Sequence, residues 1–405
     1  MSLSQVASEL SESPTLALNE QARLLRMRGE PVIHLGAGEP KNRAPVTALL
    51  GAAATLKEGD IKYTPTEGTT ALRQAVIRYT EENYGRAVAP ENVIVSNGAK
   101  QAVWNVLYSI LNPQDEVVIL TPYWVSYPEM VKMMYGVPVI VAPEDGSFQP
   151  RLEEVEQAIG SYTKAIIVNS PNNPSGVMYS RDFIAALVEL CEKKNIWFIS
   201  DDIYHKLIFD GKQWTSPYQF SSKHVDESHI ITLNGVSKLY GMTGFRIGWA
   251  VAPRKLVSVM SNVQAQITST ASAVLQAAAA SALTGVQSTI EALRQMLENN
   301  RNILMNELKA FPDVKCIPPD GTFYCLPDFS AYEKDSLKLC KLLLDKARVV
   351  TVPGKEFGME GHLRISICGS VADIKKGMER IKWAIDPESP NELFIGERKY
   401  VRDWL

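Results

Sequence analysis

Lys238 is set among small and apolar neighbours, in Gly235-Val236-Ser237-Lys238-Leu239-Tyr240-Gly241, and Arg246 follows in Met242-Thr243-Gly244-Phe245-Arg246-Ile247-Gly248. Burial disfavours an ammonium ion, so a lysine in such a setting can lose its proton and attack a carbonyl carbon. The planar fork of an arginine matches a pair of phosphate oxygens. The bland alternative is a surface lysine at a strand end and an arginine paired with a carboxylate. The glycines at 235, 241, 244 and 248 favour the first reading, because they let the backbone come close to a ligand.

An aldehyde and a phosphate on one small molecule describe pyridoxal phosphate. Its pyridine nitrogen needs an acid opposite it to stay protonated, and Asp201, in Ser200-Asp201-Asp202-Ile203-Tyr204, ends an apolar run where that acid would stand; a helix N-cap is the competing role. Tyr204 and Asn173 are candidates to hydrogen-bond the ring oxygen, against a strand-edge tyrosine and a turn asparagine before Pro174. Ser96-Asn97-Gly98-Ala99-Lys100 closes a strand and opens a helix, where free backbone N–H groups bind phosphate. Trp124 is either a ring-stacking partner or a core residue. Arg364, inside the apolar Leu363-Arg364-Ile365-Ser366, must find an anion, either a substrate carboxylate or a structural one.

The elements that must position these residues alternate. Strands are expected at Val93–Val95, Glu116–Leu120, Val139–Val141, Ala165–Val168, Trp197–Ser200, Ile230–Leu233 and Ile247–Val251, and helices at Lys100–Leu111, Tyr127–Tyr135 and Phe183–Lys193. Continuous apolar strands separated by helices imply a mainly parallel α/β sheet. Reactive residues fall just after those strands, where open α/β sheets place their sites. A long helix over Thr289–Ala310 leads to a second α+β unit with strands near Phe323–Leu326, Val349–Val352 and Leu363–Ser366. Pro387–Leu405 is mixed in charge and has no readable role.

At 405 residues the chain exceeds one ordinary core. A net charge of -3 argues against a general nucleic-acid binder, and no apolar run reaches membrane length. Ala271–Leu283, broken by Gln276, reads as a buried or interface helix. Five scattered cysteines and five histidines show neither a disulfide framework nor metal spacing, so no metal is expected, and a reducing cytoplasm fits best.

From Ser13 to Trp383 the chain resembles the class I aminotransferases, which are pyridoxal-phosphate enzymes, through the segment around Lys238 and the order and spacing of Tyr63, Trp124, Asn173, Asp201, Tyr204, Lys238, Arg246 and Arg364. The resemblance implies an α/β type I fold: a large domain with a mainly parallel seven-stranded sheet between helices, plus a smaller α+β domain. The implied division is 1–44 (N-terminal arm and part of the small domain), 45–295 (cofactor domain), 296–386 (small domain) and 387–405 (tail). It implies that Lys238 holds the cofactor covalently and later moves the proton. Asp201 would face the pyridinium, Tyr204 and Asn173 the ring oxygen, and Gly98, Ala99, Lys100, Trp124 and Arg246 would complete the cofactor contacts. Tyr63 would reach the phosphate across a homodimer interface. Gly38, Trp124, Asn173 and Arg364 would bind substrate. The bonds before Pro122 and Pro174 are expected to be cis. Gly235 departs from the family, in which a serine often stands three residues before the lysine as a phosphate ligand.

Within the family, Gly98-Ala99-Lys100-Gln101 and Tyr123-Trp124-Val125-Ser126-Tyr127-Pro128 resemble a bacterial-type aspartate aminotransferase branch. There Lys100 and Thr15 would meet the distal carboxylate of aspartate or glutamate, with a 2-oxo acid as the second substrate. Aromatic, prephenate/arogenate or alanine-type substrates are alternatives, as is a lyase on the same scaffold. Some relatives that accept prephenate carry an N-terminal lysine where this chain has Ser11-Glu12-Ser13. A nicotinamide dehydrogenase reading of Gly36-Ala37-Gly38 fails, because Lys41 stands where the third glycine belongs.

Overall fold

The computed structural model describes residues 3–4, 7–8, 14–396 and 398–404. Its centre is a seven-stranded sheet made of β2 (Val93–Ser96), β3 (Glu116–Leu120), β4 (Val137–Val141), β5 (Thr163–Asn169), β6 (Trp197–Asp201), β7 (Ile230–Gly235) and β8 (Gly248–Val251). The order is β2-β8-β7-β6-β5-β3-β4. β3 through β7 pair in parallel, while β8 runs antiparallel to both of its neighbours. The apolar runs are continuous because the sheet is covered twice. One face packs on helices Ala99–Ile110, Ser126–Met133 and Arg254–Ile267, and the other on helices Thr70–Tyr84 and Arg181–Lys194.

Local signals set the helix bounds. Ser180 caps Arg181–Lys194 by accepting from Phe183 N at 3.3 Å, and Asn195 ends that helix in the left-handed region at φ 56°. Thr69 caps Thr70–Tyr84 in the same way, and Gly85 terminates it. The register then sets the site. Asn169 pairs with Asp201 across β5 and β6, so both end at the same edge of the sheet. The chain between β7 and β8 carries Lys238 and Arg246 over that edge.

Helix Ser288–Leu308 connects to a smaller set of elements. β1 (Ile33–His34) pairs in parallel with β10 (Val349–Val350). β9 (Tyr324–Cys325), β12 (Leu363–Ser366) and β11 (Val352–Pro353) form an antiparallel sheet with β12 in the middle. Ser366 N donates to Leu35 O at 2.6 Å, which ties the Gly36–Gly38 loop to the strand that carries Arg364.

Gln276, which interrupts the apolar run, is fully buried and hydrogen-bonded to Thr69 N, Thr64 Oγ1 and Ala271 O, so it fastens the expected buried helix, Ala273–Thr284. The tail that was unreadable in sequence forms a hairpin of β13 (Glu392–Ile395) and β14 (Arg398–Val401). Trp404 Nε1 donates to Ala384 O at 3.0 Å, and Tyr400 Oη donates to Glu30 Oε2 at 2.9 Å. Cis peptide bonds occur at Thr121–Pro122 and Ser170–Pro171. The expected cis bond before Pro174 is therefore corrected to Pro171, three residues upstream. Asn173–Pro174 lies instead in a turn closed by Gly176 N on Asn172 O at 2.8 Å.

Among the described residues no helix is long and apolar enough to cross a membrane, and no group of three or more His, Cys, Asp or Glu is placed to hold a metal ion.

Candidate active site

A cavity of about 870 Å³ opens over the C-terminal edge of the large sheet. Gly38, Ala99, Lys100, Trp124, Asn173, Asp201, Tyr204, Lys238, Arg246 and Arg364 all line it. Gly98 stands just behind, its Cα against the Arg246 guanidinium. Tyr63 is not in the cavity wall and is 91% exposed. Thr15 begins helix Pro14–Met27, but its side chain lies outside the described residues, as do Ser11-Glu12-Ser13.

Lys238 Nζ donates to Gly38 O at 2.7 Å and stands 5.7 Å from the centre of the Phe323 ring. One side of the lysine opens on the cavity, but the protein packed around the rest draws its pKa down to about 8. An appreciable share of the amine is therefore neutral near physiological pH.

Asp201 is buried at the end of β6. Its Oδ2 accepts from Tyr127 Oη at 2.6 Å, while Oδ1 is buried with no partner. Burial pushes this carboxyl up, against the pull of the Tyr127 hydrogen bond. A buried oxygen without a donor is costly, and it marks the place for an N–H that is not part of the chain. Asn169 locks the strand end by donating from Nδ2 to Asp201 O at 2.7 Å and accepting Asn173 N on Oδ1 at 2.8 Å.

The β2–β8 pairing sets Ser96 against Gly248 and brings the start of helix Ala99–Ile110 over the β8 strand. A Cβ on Gly248 would collide with Ala99 N and the Gly98 carbonyl carbon, and one on Gly98 would collide with the Arg246 guanidinium. Gly98 also has φ +87°, which a residue with a side chain rarely adopts. These two glycines make a cradle of backbone N–H groups and one guanidinium, suited to a phosphate. Arg246 Nη1 donates to Thr243 O at 2.9 Å and Nη2 to Asn97 O at 3.5 Å, both neutral oxygens. Gly235 has no room for a side chain, because a Cβ there would press on Ile247 O and Gly248 Cα. Ser237, by contrast, lines the cavity.

Arg364 is buried on β12 between the rings of Tyr324 and Phe357, whose centres lie 4.3 and 4.9 Å from its guanidinium carbon. Nη1 donates to Asn173 Oδ1 at 3.1 Å and Nη2 to Gly36 O at 3.4 Å, while Nε has no partner. Both partners are neutral oxygens, so the guanidinium keeps its charge for an anion. Lys100 holds its ammonium 4.8 Å above the Trp124 ring, and the surrounding protein first, then Arg246, draws its pKa below the ordinary lysine value. Tyr204 is buried against Phe323 and Tyr324, and burial raises its hydroxyl well above the usual range.

Tyr127 and Asn169 went unassigned in the sequence. Tyr127 lies on an apolar helix face and reads as core until the fold turns its hydroxyl to Asp201. Asn169 ends a strand, the one signal that it faces the site.

An amine-bearing lysine, a bare buried carboxylate oxygen and a phosphate cradle in one cavity, on a mainly parallel α/β sheet, fit pyridoxal phosphate and define a pyridoxal-phosphate enzyme. Residues 30–381 match the family model for aminotransferase class I and II, and the chain belongs to that family. It is 38% identical over 389 residues to an aspartate aminotransferase of Geobacillus stearothermophilus, covering 94% of this chain and 98% of that protein. It is likewise 38% identical over 383 residues to an aspartate/prephenate aminotransferase of Thermus thermophilus, covering 93% and 97%. The structure of the Thermus thermophilus aspartate aminotransferase with maleate superposes with a TM-score of 0.90 at 36% identity, over 95% of this chain and all of that one. The protein is a pyridoxal-phosphate-dependent aminotransferase.

Proposed function

We propose that the enzyme moves the α-amino group of aspartate or glutamate to a 2-oxo acid, oxaloacetate or 2-oxoglutarate, in two half-reactions. The observation that carries this reading is a pair of cations lining one cavity, Arg364 and Lys100, each placed on aromatic rings and neither in an ion pair with a carboxylate among the described residues. A substrate with a carboxylate at each end satisfies both. The relative solved with maleate, itself a dicarboxylate, supports the same assignment.

Pyridoxal phosphate supplies the aldehyde that receives the amino group and the ring that absorbs the electron pair. Lys238 Nζ would hold that aldehyde covalently, and its neutral amine, when free, is placed to move the proton at substrate Cα. Asp201 Oδ1 would face the ring nitrogen and favour its protonated form. Asn173 accepts from Arg364 on Oδ1, so its Nδ2, together with Tyr204 Oη, would hold the ring oxygen. Arg246 and the Ala99 N–H would hold the phosphate beside Gly98, whose own N–H is taken by Ser96 O at 2.8 Å, and Trp124 would cover the ring. Arg364 and the Gly38 backbone would bind the substrate α-carboxylate, and Lys100 the distal one.

Tyr63 reaches the phosphate of a second copy in a homodimer. Its exposure supports this, as does that of Val46, Leu49 and Leu50 on helix Val46–Glu58. A cytoplasmic location is supported by five free cysteines. A division of the chain at about residues 44, 295 and 386 is supported by the separation of the seven-stranded sheet from the smaller one.

Single-turnover spectra with a panel of amino donors test the substrate. Aspartate and glutamate should convert the cofactor fastest, and Lys100→Ala should slow them far more than alanine. Fastest conversion by aromatic donors or arogenate, or an equal loss across all donors, would contradict the acidic-substrate reading.

A further inference from the structure

Behind the strand that holds Tyr324 under Arg364, two cysteines meet. Cys316 Sγ and Cys325 Sγ are 3.3 Å apart. Cys325 is fully buried on β9, while Cys316 is only partly covered, with Met305 Sδ at 3.9 Å. A disulfide is about 2.05 Å long, so closing the bond takes a sulfur displacement of about 1.3 Å.

The chain between them is already anchored at both ends and at its tip. Lys315 and Asp328 form an antiparallel bridge, with Asp328 N on Lys315 O at 2.8 Å. Asp320 N and Gly321 N both donate to Gly176 O at 2.9 Å, and Thr322 N donates to Leu207 O at 2.8 Å. The two sulfurs are thus held together by backbone contacts that do not depend on them. Cys191, Cys340 and Cys368 are buried elsewhere, and Cys340 Sγ faces Thr351 Oγ1 at 3.2 Å.

We propose that Cys316 and Cys325 form a reversible dithiol–disulfide couple, oxidised by a peroxide, that staples β9, which carries Tyr324 beneath Arg364, to the segment around Cys316. Hydrogen peroxide takes up the electron pair of the Cys316 sulfur, giving a sulfenic acid and one water. The Cys325 sulfur then attacks that sulfur, the S–O bond breaks, and the hydroxyl leaves with the Cys325 proton as a second water. Both sulfurs lose one electron and both peroxide oxygens gain one. The order follows from access and acidity. The contact with Cys316 first, and burial second, hold the Cys325 thiol well above its usual range, so the first attack falls to the partly exposed partner. Dithiothreitol reverses the bond.

The test is hydrogen peroxide treatment of the holoenzyme, followed by catalase, blocking of remaining thiols under denaturing conditions, and peptide mapping without reductant. The expected product is one cross-linked species joining the Cys316 and Cys325 peptides, lighter than the reduced pair by two hydrogen atoms. Two of the five cysteines should be lost to the blocking reagent and recovered by dithiothreitol. In Cys325→Ser, Cys316 should stop at a sulfenic acid that dimedone traps. Five blockable thiols after oxidation, a link from Cys325 to a different cysteine, or dimedone labelling of Cys316 with Cys325 intact would overturn the proposal. A second arm rests on Arg364 binding substrate: oxidation should shift the KM for the acidic donor and dithiothreitol should restore it, with no shift in Cys316→Ser. A KM indifferent to the cross-link would overturn the coupling to the active site, whereas the mapping arm reads the bond whatever the substrate.

Discussion

Asp201 and Arg364 are both buried, both charged when working, and both line the same cavity, yet they are held by different kinds of structure. Asp201 ends β6 in the middle of a continuous sheet; Tyr127 takes one of its oxygens, Asn169 fixes its backbone, and its other oxygen is bare. Arg364 stands on a short strand of the smaller sheet, sandwiched between Tyr324 and Phe357, and its polar contacts reach Gly36 and Asn173, far away in the chain. The first group is a fixed point with one buried oxygen that has no donor. The second is assembled from three separate parts of the chain and carries a charge that only a ligand can answer. An unpaired buried charge is costly, so a cation opposite Asp201 and an anion opposite Arg364 would each be favourable. A resident cofactor suits the rigid end, and an exchanging carboxylate suits the assembled one.

Replacing each group should break the comparison in a characteristic way. The largest loss is expected from Asp201→Asn, which keeps the shape and removes the charge facing the ring nitrogen. Breaking a buried charged pair costs about 3–5 kcal/mol, or roughly 10²–10⁴-fold, and here it should appear as lost turnover together with weaker cofactor retention in dialysis. Arg364→Lys should lose about 1.5–3 kcal/mol of charge-assisted hydrogen bonding. Its loss should fall in substrate KM, with cofactor retention unchanged. Tyr127→Phe should have the smallest effect, about tenfold in cofactor affinity, near the lower bound for a hydrogen bond to a charged group. Equal effects on KM and on cofactor retention from Asp201→Asn and Arg364→Lys would erase the distinction between the two ends.

The same contrast decides what could be read before the fold was known. Asp201, Lys238 and the Gly98 turn were legible because each ends or follows an apolar strand, and strand ends in a parallel sheet share one edge. Arg364 was legible as an arginine that needed an anion, but not its partners Gly36 and Asn173, because the β11–β12–β9 register and the Ser366–Leu35 bond belong to tertiary structure. Tyr127 was hidden by the apolar face it shares. The tail was hidden because its anchors, Trp404 to Ala384 and Tyr400 to Glu30, follow no periodicity. Asn173 and Pro174 drew attention to the right turn but to the wrong proline, since the cis bond falls at Pro171.

Lys238 tests the central claim most directly. Apo-enzyme mixed with pyridoxal phosphate should capture it covalently, at a rate that rises with pH through about 8 as the neutral amine becomes the majority form. Borohydride reduction followed by peptide mapping should then find one adduct, on the peptide containing Lys238, and none in Lys238→Ala. An adduct on a different lysine, or the same adduct yield in Lys238→Ala, would contradict the account.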